Sequence, residues 1–401
     1  MNMYYFIICI FSFLLTAILA VTGLAPGPRL WPAAVLVNNK LYIIGGLPNN
    51  DSFYLDVSKN FNVSDMASMP WTDISTGAPR KDSISACIGG MNNDSIFVIG
   101  NKPSASFQPL VSQFDTTKQT WSNVTASGAP PVDRYYISCA SFGKGLIAIF
   151  SGAYVTGNDN NDLWLFNTLS LSWIKSNATT APAARSGYCA ITLPDDNILY
   201  IGGSYNFSIT SLIPMNILPL YNTKNDSWSN ITTSGQTPPS RRFSSAVLTP
   251  NKRILMFGGV NDASLSYYND LWILDISTYQ WSTGNITNPS LGPSNLYDHT
   301  ATVVGNYMFV CFGTNSQNYP TPTNSSSKIY VLDISKNDSY QWVTDFSLYP
   351  KTTTTTMSTP TSTFTPTPTS TPSHSAASKI NTSLYLIIGL FIEALFLATF
   401  G

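Results

Sequence analysis

Few side chains in this sequence are equipped for catalysis, and their spacing narrows the chemistry further. Only two histidines occur, His299 and His374. His374 sits in TTTTTMSTPTSTFTPTPTSTPSHS, residues 352–375, a segment too poor in apolar residues to fold. That leaves His299, in the cluster Tyr297-Asp298-His299, which reads as a polar turn ahead of a strand. No G-x-S-x-G elbow is present, and no cysteine or histidine spacing suits zinc. Carboxylate pairs for acid–base work are not placed by sequence. The most regular charged set is arginine: Arg29, Arg80, Arg134, Arg185 and Arg241 recur at intervals of 51, 54, 51 and 56 residues. A guanidinium carries five donors in a fixed fork, so a ring of them would suit an anionic or sugar ligand. The structural alternative is that each arginine ties neighbouring units together through backbone carbonyls, and recurrence in unit after unit favours it. No catalytic residue, metal ligand or cofactor is expected. Arg80, Arg134, Arg185, Arg241 and His299 are the candidate ligand-binding residues.

The elements that must position these side chains repeat. The stretch NDLWLFNTLSLSW at 161–173 returns as NDLWILDISTYQW at 269–281. Apolar runs ending in glycine recur as LYIIGG from 41, IFVIGN from 96, IAIFSG from 147, ILYIGG from 198, ILMFGG from 254 and FVCFGT from 309. Each reads as a buried strand entering a tight turn, where glycine takes positive φ without strain. Then a strand ends in Asp or Asn, and a tryptophan opens the next: Trp71, Trp121, Trp173, Trp228, Trp281 and Trp342. Asp and Asn end strands by bonding their own backbone in turns. Six four-stranded units follow. One such sheet buries too little alone, whereas a closed radial stack covers both faces of every sheet.

This order resembles the Kelch repeat: a turn with Arg, an apolar strand ending in Gly-Gly, a strand ending in Asp, and a spaced Trp. The marker glycines are Gly45, Gly46, Gly100, Gly152, Gly202, Gly203, Gly258, Gly259 and Gly313. Asn101 stands for the second glycine of unit two, Ser151 for the first of unit three and Thr314 for the second of unit six. The resemblance implies an all-β, six-bladed propeller with four antiparallel strands per blade, as in the central domain of galactose oxidase. A copper radical oxidase of that kind needs two imidazoles and two tyrosines at the metal. One histidine in the folded region does not supply them, so such an enzyme is the disfavoured alternative.

Two expectations concern closure and cysteines. Unit one has its own first strand and unit six reaches its own Trp342 strand, so the ring should close by face packing alone, with no exchanged strand and the seam weakest. Cys87, Cys139 and Cys189 fall in the first strands of successive units. Sheets pack about 10 Å apart and a disulfide wants Cα atoms within about 7 Å, so free buried thiols are expected.

The remaining segments speak to location. Residues 1–20 read as a secretory signal peptide and 24–348 as the propeller. Residues 349–375 read as an O-glycosylated Thr/Ser/Pro stalk, of which 352–375 would have an extended reach on the order of 75 Å. Residues 376–401 read as a glycolipid attachment signal, with a single transmembrane helix as the alternative. Small residues at 375–378 precede a polar spacer and an apolar tail, and Glu393 would cost about 2.5–3.5 kcal/mol in a permanent helix. N-glycosylation sequons stand at Asn50, Asn62, Asn93, Asn123, Asn177, Asn206, Asn225, Asn230, Asn285, Asn324, Asn337 and Asn381. Charged residues are only 10% of the chain, so glycans would supply solvation. Twenty basic against 21 acidic residues leave no field for nucleic acid. The expectation is a non-catalytic ectodomain on the secretory route to the cell surface, membrane-anchored, binding a protein or glycan.

Overall fold

The computed structural model describes residues 24–102, 109–154, 160–206, 208–315 and 324–348. They lie in one compact unit, Met1–Pro350, and the expected leader, stalk and anchor lie outside them. Six antiparallel sheets carry four strands each in sequence order, the fifth extended by a short parallel strand, Ser234–Gly235. The first strands are Ala33–Val37, Ser85–Gly89, Ala140–Phe142, Cys189–Thr192, Ser245–Leu248 and Thr300–Val304. They are neighbours in a closed ring and line a central channel. Second strands are almost wholly buried, because both faces of each are covered by adjoining blades.

The apolar pattern produces six separate cores, one in each gap between blades. The spaced tryptophans also reach across gaps. Trp121 donates its indole N–H to the Ile74 carbonyl at 2.7 Å, and Trp281 donates to Met215 at 3.1 Å. Strand-end Asp and Asn residues form the expected turns: Asn167 Oδ1, for example, accepts from the backbone N–H groups of Leu169 and Ser170.

Two rings of backbone hydrogen bonds circle the channel. In the first, Trp31, Ser83, Tyr136, Gly187, Phe243 and Asp298 each donate to the carbonyl of the one before, at 2.8–3.2 Å, until Trp31 closes on Asp298. All six are left-handed, with φ between 53° and 65°. In the second, Gly46, Asn101, Gly152, Gly203, Gly259 and Gly313 donate to Lys81, Arg134, Arg185, Arg241, Leu296 and Arg29 at 2.8–3.0 Å. A Cβ on Gly45 would lie 2.1 Å from the Lys81 carbonyl oxygen, and one on Gly258 would lie 2.3 Å from that of Leu296. The paired glycines therefore exist to let the next blade's backbone approach. In blade six Gly313 fills the second glycine place and Phe312, at φ 63°, the first, which corrects the assignment of Thr314 to that turn.

Closure differs in part from expectation. No strand is exchanged, since each blade's four strands are contiguous in sequence. Face packing does not act alone, however. Both backbone rings cross the seam between blades six and one, and Asp345–Phe346 pairs with Phe61–Asn62 there. The seam's core holds fifteen buried side chains, more than any other gap, so it is not the thinnest.

The cysteine expectation also needs correction. Cys87 and Cys139 form a disulfide, with Cα atoms 6.2 Å apart. The 10 Å sheet spacing does not hold at the axis, where first strands converge. The first backbone ring also shows that the three cysteines are not level: Cys87 stands four residues after Ser83, Cys139 three after Tyr136 and Cys189 two after Gly187. Alternation along a strand then turns Cys87 and Cys139 towards each other. Cys189 turns the other way, its Sγ donating to the Ser244 carbonyl at 3.2 Å. Cys189 and Cys311 are free and buried.

Candidate functional site

The residue whose carbonyl joins the second ring, basic in every blade but the sixth, sits two positions before the left-handed residue of the first. Blade by blade these are Arg29, Lys81, Arg134, Arg185, Arg241 and Leu296. Arg80 is not among them. It is exposed, while Lys81 beside it is buried and donates through Nζ to the carbonyls of Pro109 and Leu110. Burial lowers the Lys81 pKa to about 7, against the pull of Asp133.

Three of the arginines are held by a carboxylate of their own blade. Arg134 donates through Nη1 to the Ser151 carbonyl at 3.0 Å and forks onto Asp162 at 3.0 and 3.3 Å. Arg241 repeats this with the Gly258 carbonyl at 3.0 Å and Asp270 at 2.5 and 3.1 Å, and stacks over the Tyr268 ring at 3.8 Å. Arg29 bonds the Gly45 carbonyl and pairs with Asp51 at 2.8 Å. Each clamp joins the glycine turn after the second strand to the entry of the third. The side chain therefore ties its own blade together while the backbone carbonyl reaches the neighbour, and the Arg29 guanidinium also stands over the Phe312 ring of blade six, 5.0 Å from its centroid. Asp162 and Asp270 are the aspartates of the repeated NDLW line, whose tryptophans Trp164 and Trp272 donate to the same carboxylates. That doublet was the signal in the sequence for the clamp.

Arg185 differs. It is 2% exposed, and its Nε and Nη1 find no hydrogen-bond partner. It lines a pocket of about 440 Å³ with Tyr205, Ile213, Ile217, Pro219 and Trp228. Burial lowers its pKa to about 10, while Tyr205, Tyr188 and Tyr200 pull the other way.

His299 lies at the channel wall, buried, with Nε2 2.7 Å from Ser245 Oγ. Burial lowers its pKa to about 3. Its neighbour Asp298 is pushed up to about 8 by burial, against Trp31 and Arg242. Among the described residues no three His, Cys, Asp or Glu side chains converge as a metal site. Of the sequon asparagines, Asn93, Asn123, Asn177, Asn206, Asn225, Asn230, Asn285, Asn324 and Asn337 are exposed. Asn50 and Asn62 are half-buried, and Asn62 Nδ2 donates to Asp345 Oδ1 at 2.8 Å in the seam ribbon. Asn381 lies outside the described residues.

The KLHDC2/KLHL20/DRC7 Kelch-repeats domain matches residues 31–249 and again 211–391. The chain belongs to this Kelch-repeat family. Kelch propellers are typically binding modules for proteins. Acyl-CoA-binding domain-containing protein 6 of Oryza sativa subsp. japonica is 30% identical over 46% of this chain and 29% of its own length. Acyl-CoA-binding domain-containing protein 4 of Arabidopsis thaliana is 26% identical over 65% of this chain and 39% of its own. The chain thus spans well under half of these relatives. Kelch domain-containing protein 3 of Rattus norvegicus is 22% identical over 77% of this chain and 85% of its own length. The solved structure titled "Structure of YjhT" superposes with a TM-score of 0.60 at 11% identity, covering 80% of this chain and 99% of that one, a likeness of fold.

Proposed function

We propose that this Kelch propeller is a non-catalytic recognition module, displayed outside the cell on a membrane-tethered stalk, which binds a protein partner at the end carrying the arginines. The observation that carries the reading is the contrast between core and loops. The side chains best suited to chemistry have structural tasks: Arg29, Arg134 and Arg241 are clamped by their own aspartates, and His299 is buried against Ser245. The connections between second and third strands are long and vary in sequence, and the strand ends they join lie at the arginine end. The pocket of blade four lies among them. A binding surface made of divergent loops on a regular scaffold is the common arrangement for recognition.

The extracellular part of the proposal rests on the sequence. An apolar leader, exposed sequons, a Thr/Ser/Pro-rich stretch and an apolar tail occur in the order a glycolipid-anchored ectodomain requires. Among the described residues no helix is long and apolar enough to cross a membrane. The experiment is to display the full chain on cells and treat them with a phosphatidylinositol-specific phospholipase. Release of a glycosylated propeller without Glu393, able to bind cells saturably, is the expected result. Retention of a peptide containing Glu393 would decide for a transmembrane helix, and binding that never saturates would remove the recognition role.

A further inference from the structure

Blade four departs at the acid's place from the clamp shared by blades one, three and five, and at the indole's place from blades three and five, where blade one has Phe53. In blade three the third strand runs Leu163–Asn167, with Asp162 before it and Trp164 in it; in blade five Leu271–Asp275 has Asp270 and Trp272. The two indole N–H groups donate to those aspartates at 2.6 and 2.7 Å. Third-to-fourth strand pairing fixes the correspondence: Phe166, Tyr221 and Leu274 face Trp173, Trp228 and Trp281. Counting back, Ile217 takes the aspartate's place and Pro219 the tryptophan's. Ile217 is 47% exposed, and both residues line the pocket over Arg185.

Other blades that lost part of the clamp lost the guanidinium too. Blade two has Lys81 with Leu110 at the acid's place, and blade six has Leu296 with Lys328. Among the described residues only blade four keeps a buried arginine without its acid. A buried guanidinium lacking a counter-charge is strongly destabilising, so its retention over a pocket left by a missing indole and a missing carboxylate needs a compensating partner. We infer that Arg185 and the blade-four pocket form a subsite for one external carboxylate, which takes the place of the aspartate that this blade lacks.

The carboxylate is that of an Asp or Glu side chain on the protein partner, and this step rests on the recognition role proposed above. The walls favour it. Ile213, Pro214, Ile217 and Pro219 are apolar, and suit the methylenes and backbone flank of an acidic residue. Thr180, Tyr205, Asn216, Ser229 and Asn230 complete the lining, so a sugar acid is the competing source that the glucuronide probe below tests.

The test uses the full glycosylated chain and small probes. Blocked aspartate (N-acetyl-aspartate N-methylamide), blocked asparagine and methyl glucuronide are titrated in turn, by calorimetry and by the Arg185 side-chain Nε–H resonance. Blocked aspartate is expected to bind saturably and shift that resonance; blocked asparagine is not. Ile217→Asp, which returns the acid to the chain, should weaken blocked aspartate on the order of tenfold or more, while Ile217→Asn should leave it unchanged. Because Arg185→Met can fail to fold, Ile217→Asp is the deciding variant. No binding to the wild type, or equal binding to Ile217→Asp, overturns the subsite. Preference for the glucuronide overturns the acidic side chain as its source. A partner that binds wild type and Ile217→Asp alike sinks the subsite but leaves the recognition role standing. Blocked aspartate bound at Arg185 with no saturable cell binding does the reverse.

Discussion

Gly313 donates its backbone N–H to the carbonyl of Arg29 at 3.0 Å, joining the last blade to the first by the same bond that links every other pair of blades. The seam is therefore continuous with the rest of the ring, and the ribbon of Asp345–Phe346 on Phe61–Asn62 adds to it. Phe346 is 1% exposed and packs against Phe61, Tyr307 and Phe309. Phe346→Ala should lower stability by about 3–5 kcal/mol. In hydrogen exchange, the amides of Val63 and Phe346 should lose protection first. An unchanged denaturation midpoint would show that the ribbon is not part of closure.

The disulfide offers a second check. Cys87 and Cys139 are separated by 52 residues, and closing a loop of that size restricts the unfolded chain by about 4 kcal/mol. Non-reducing peptide mapping should find these two linked. Cys189 and Cys311, free and buried, should be alkylated only after unfolding. The double variant Cys87→Ser, Cys139→Ser should lose about 2–4 kcal/mol while remaining folded. Four reactive thiols in the unfolded, unreduced protein would contradict the pairing.

Asp298 and His299 are neighbours whose titrations act in opposite directions on stability. The Asp298 carboxyl is raised to about 8, so the folded state holds a proton that the unfolded chain releases near pH 4, and stability falls as pH rises from about 4 to 8. The His299 imidazole is lowered to about 3, so the unfolded chain takes up a proton first as pH falls, and stability is lost from about pH 6.5 down to 3. Asp298→Asn should flatten the alkaline side of the stability profile, and His299→Gln the acid side. Denaturation midpoints measured from pH 3 to 9 check both. Identical slopes in wild type and variants would mean that these groups do not titrate as their burial requires.

The clamps predict an asymmetry between blades. Asp162 accepts from Arg134, Tyr154 and Trp164. Asp162→Asn strips the counter-charge from a buried guanidinium and should cost about 3 kcal/mol. Arg80→Ala, at an exposed position, should change stability by no more than about 0.5 kcal/mol. Comparable losses from both variants would contradict the placement of Lys81 in the ring.

Much of this fold was legible in the sequence, because a propeller repeats its physics. Glycine pairs, strand-end Asp or Asn and spaced Trp each mark a local requirement, and six copies average out exceptions such as Asn101 and Ser151. What a repeat conceals is register to a single residue. Arg80 stood next to the residue that joins the ring, and the short run Pro79-Arg80-Lys81 gives no sign of which cation turns inward. The cysteines misled for the same reason, since a stagger of one residue reverses the face and brings Cys87 against Cys139. The aspartates of the clamps were visible in the NDLW lines, but their partner lies some 28 residues upstream, beyond any local pattern. The bare Arg185 follows only when Ile217 is set beside Asp162 and Asp270, which needs the strand pairing.

The recognition role is tested most directly by cross-linking on living cells that display the full chain, with the linked residues mapped by mass spectrometry. Links to the partner should gather at the arginine end, on residues 180–183, 204–206 and 213–217 around the blade-four pocket, and unlabelled soluble propeller should compete them away. Links scattered over both ends and the blade edges, and undiminished by competitor, would contradict it.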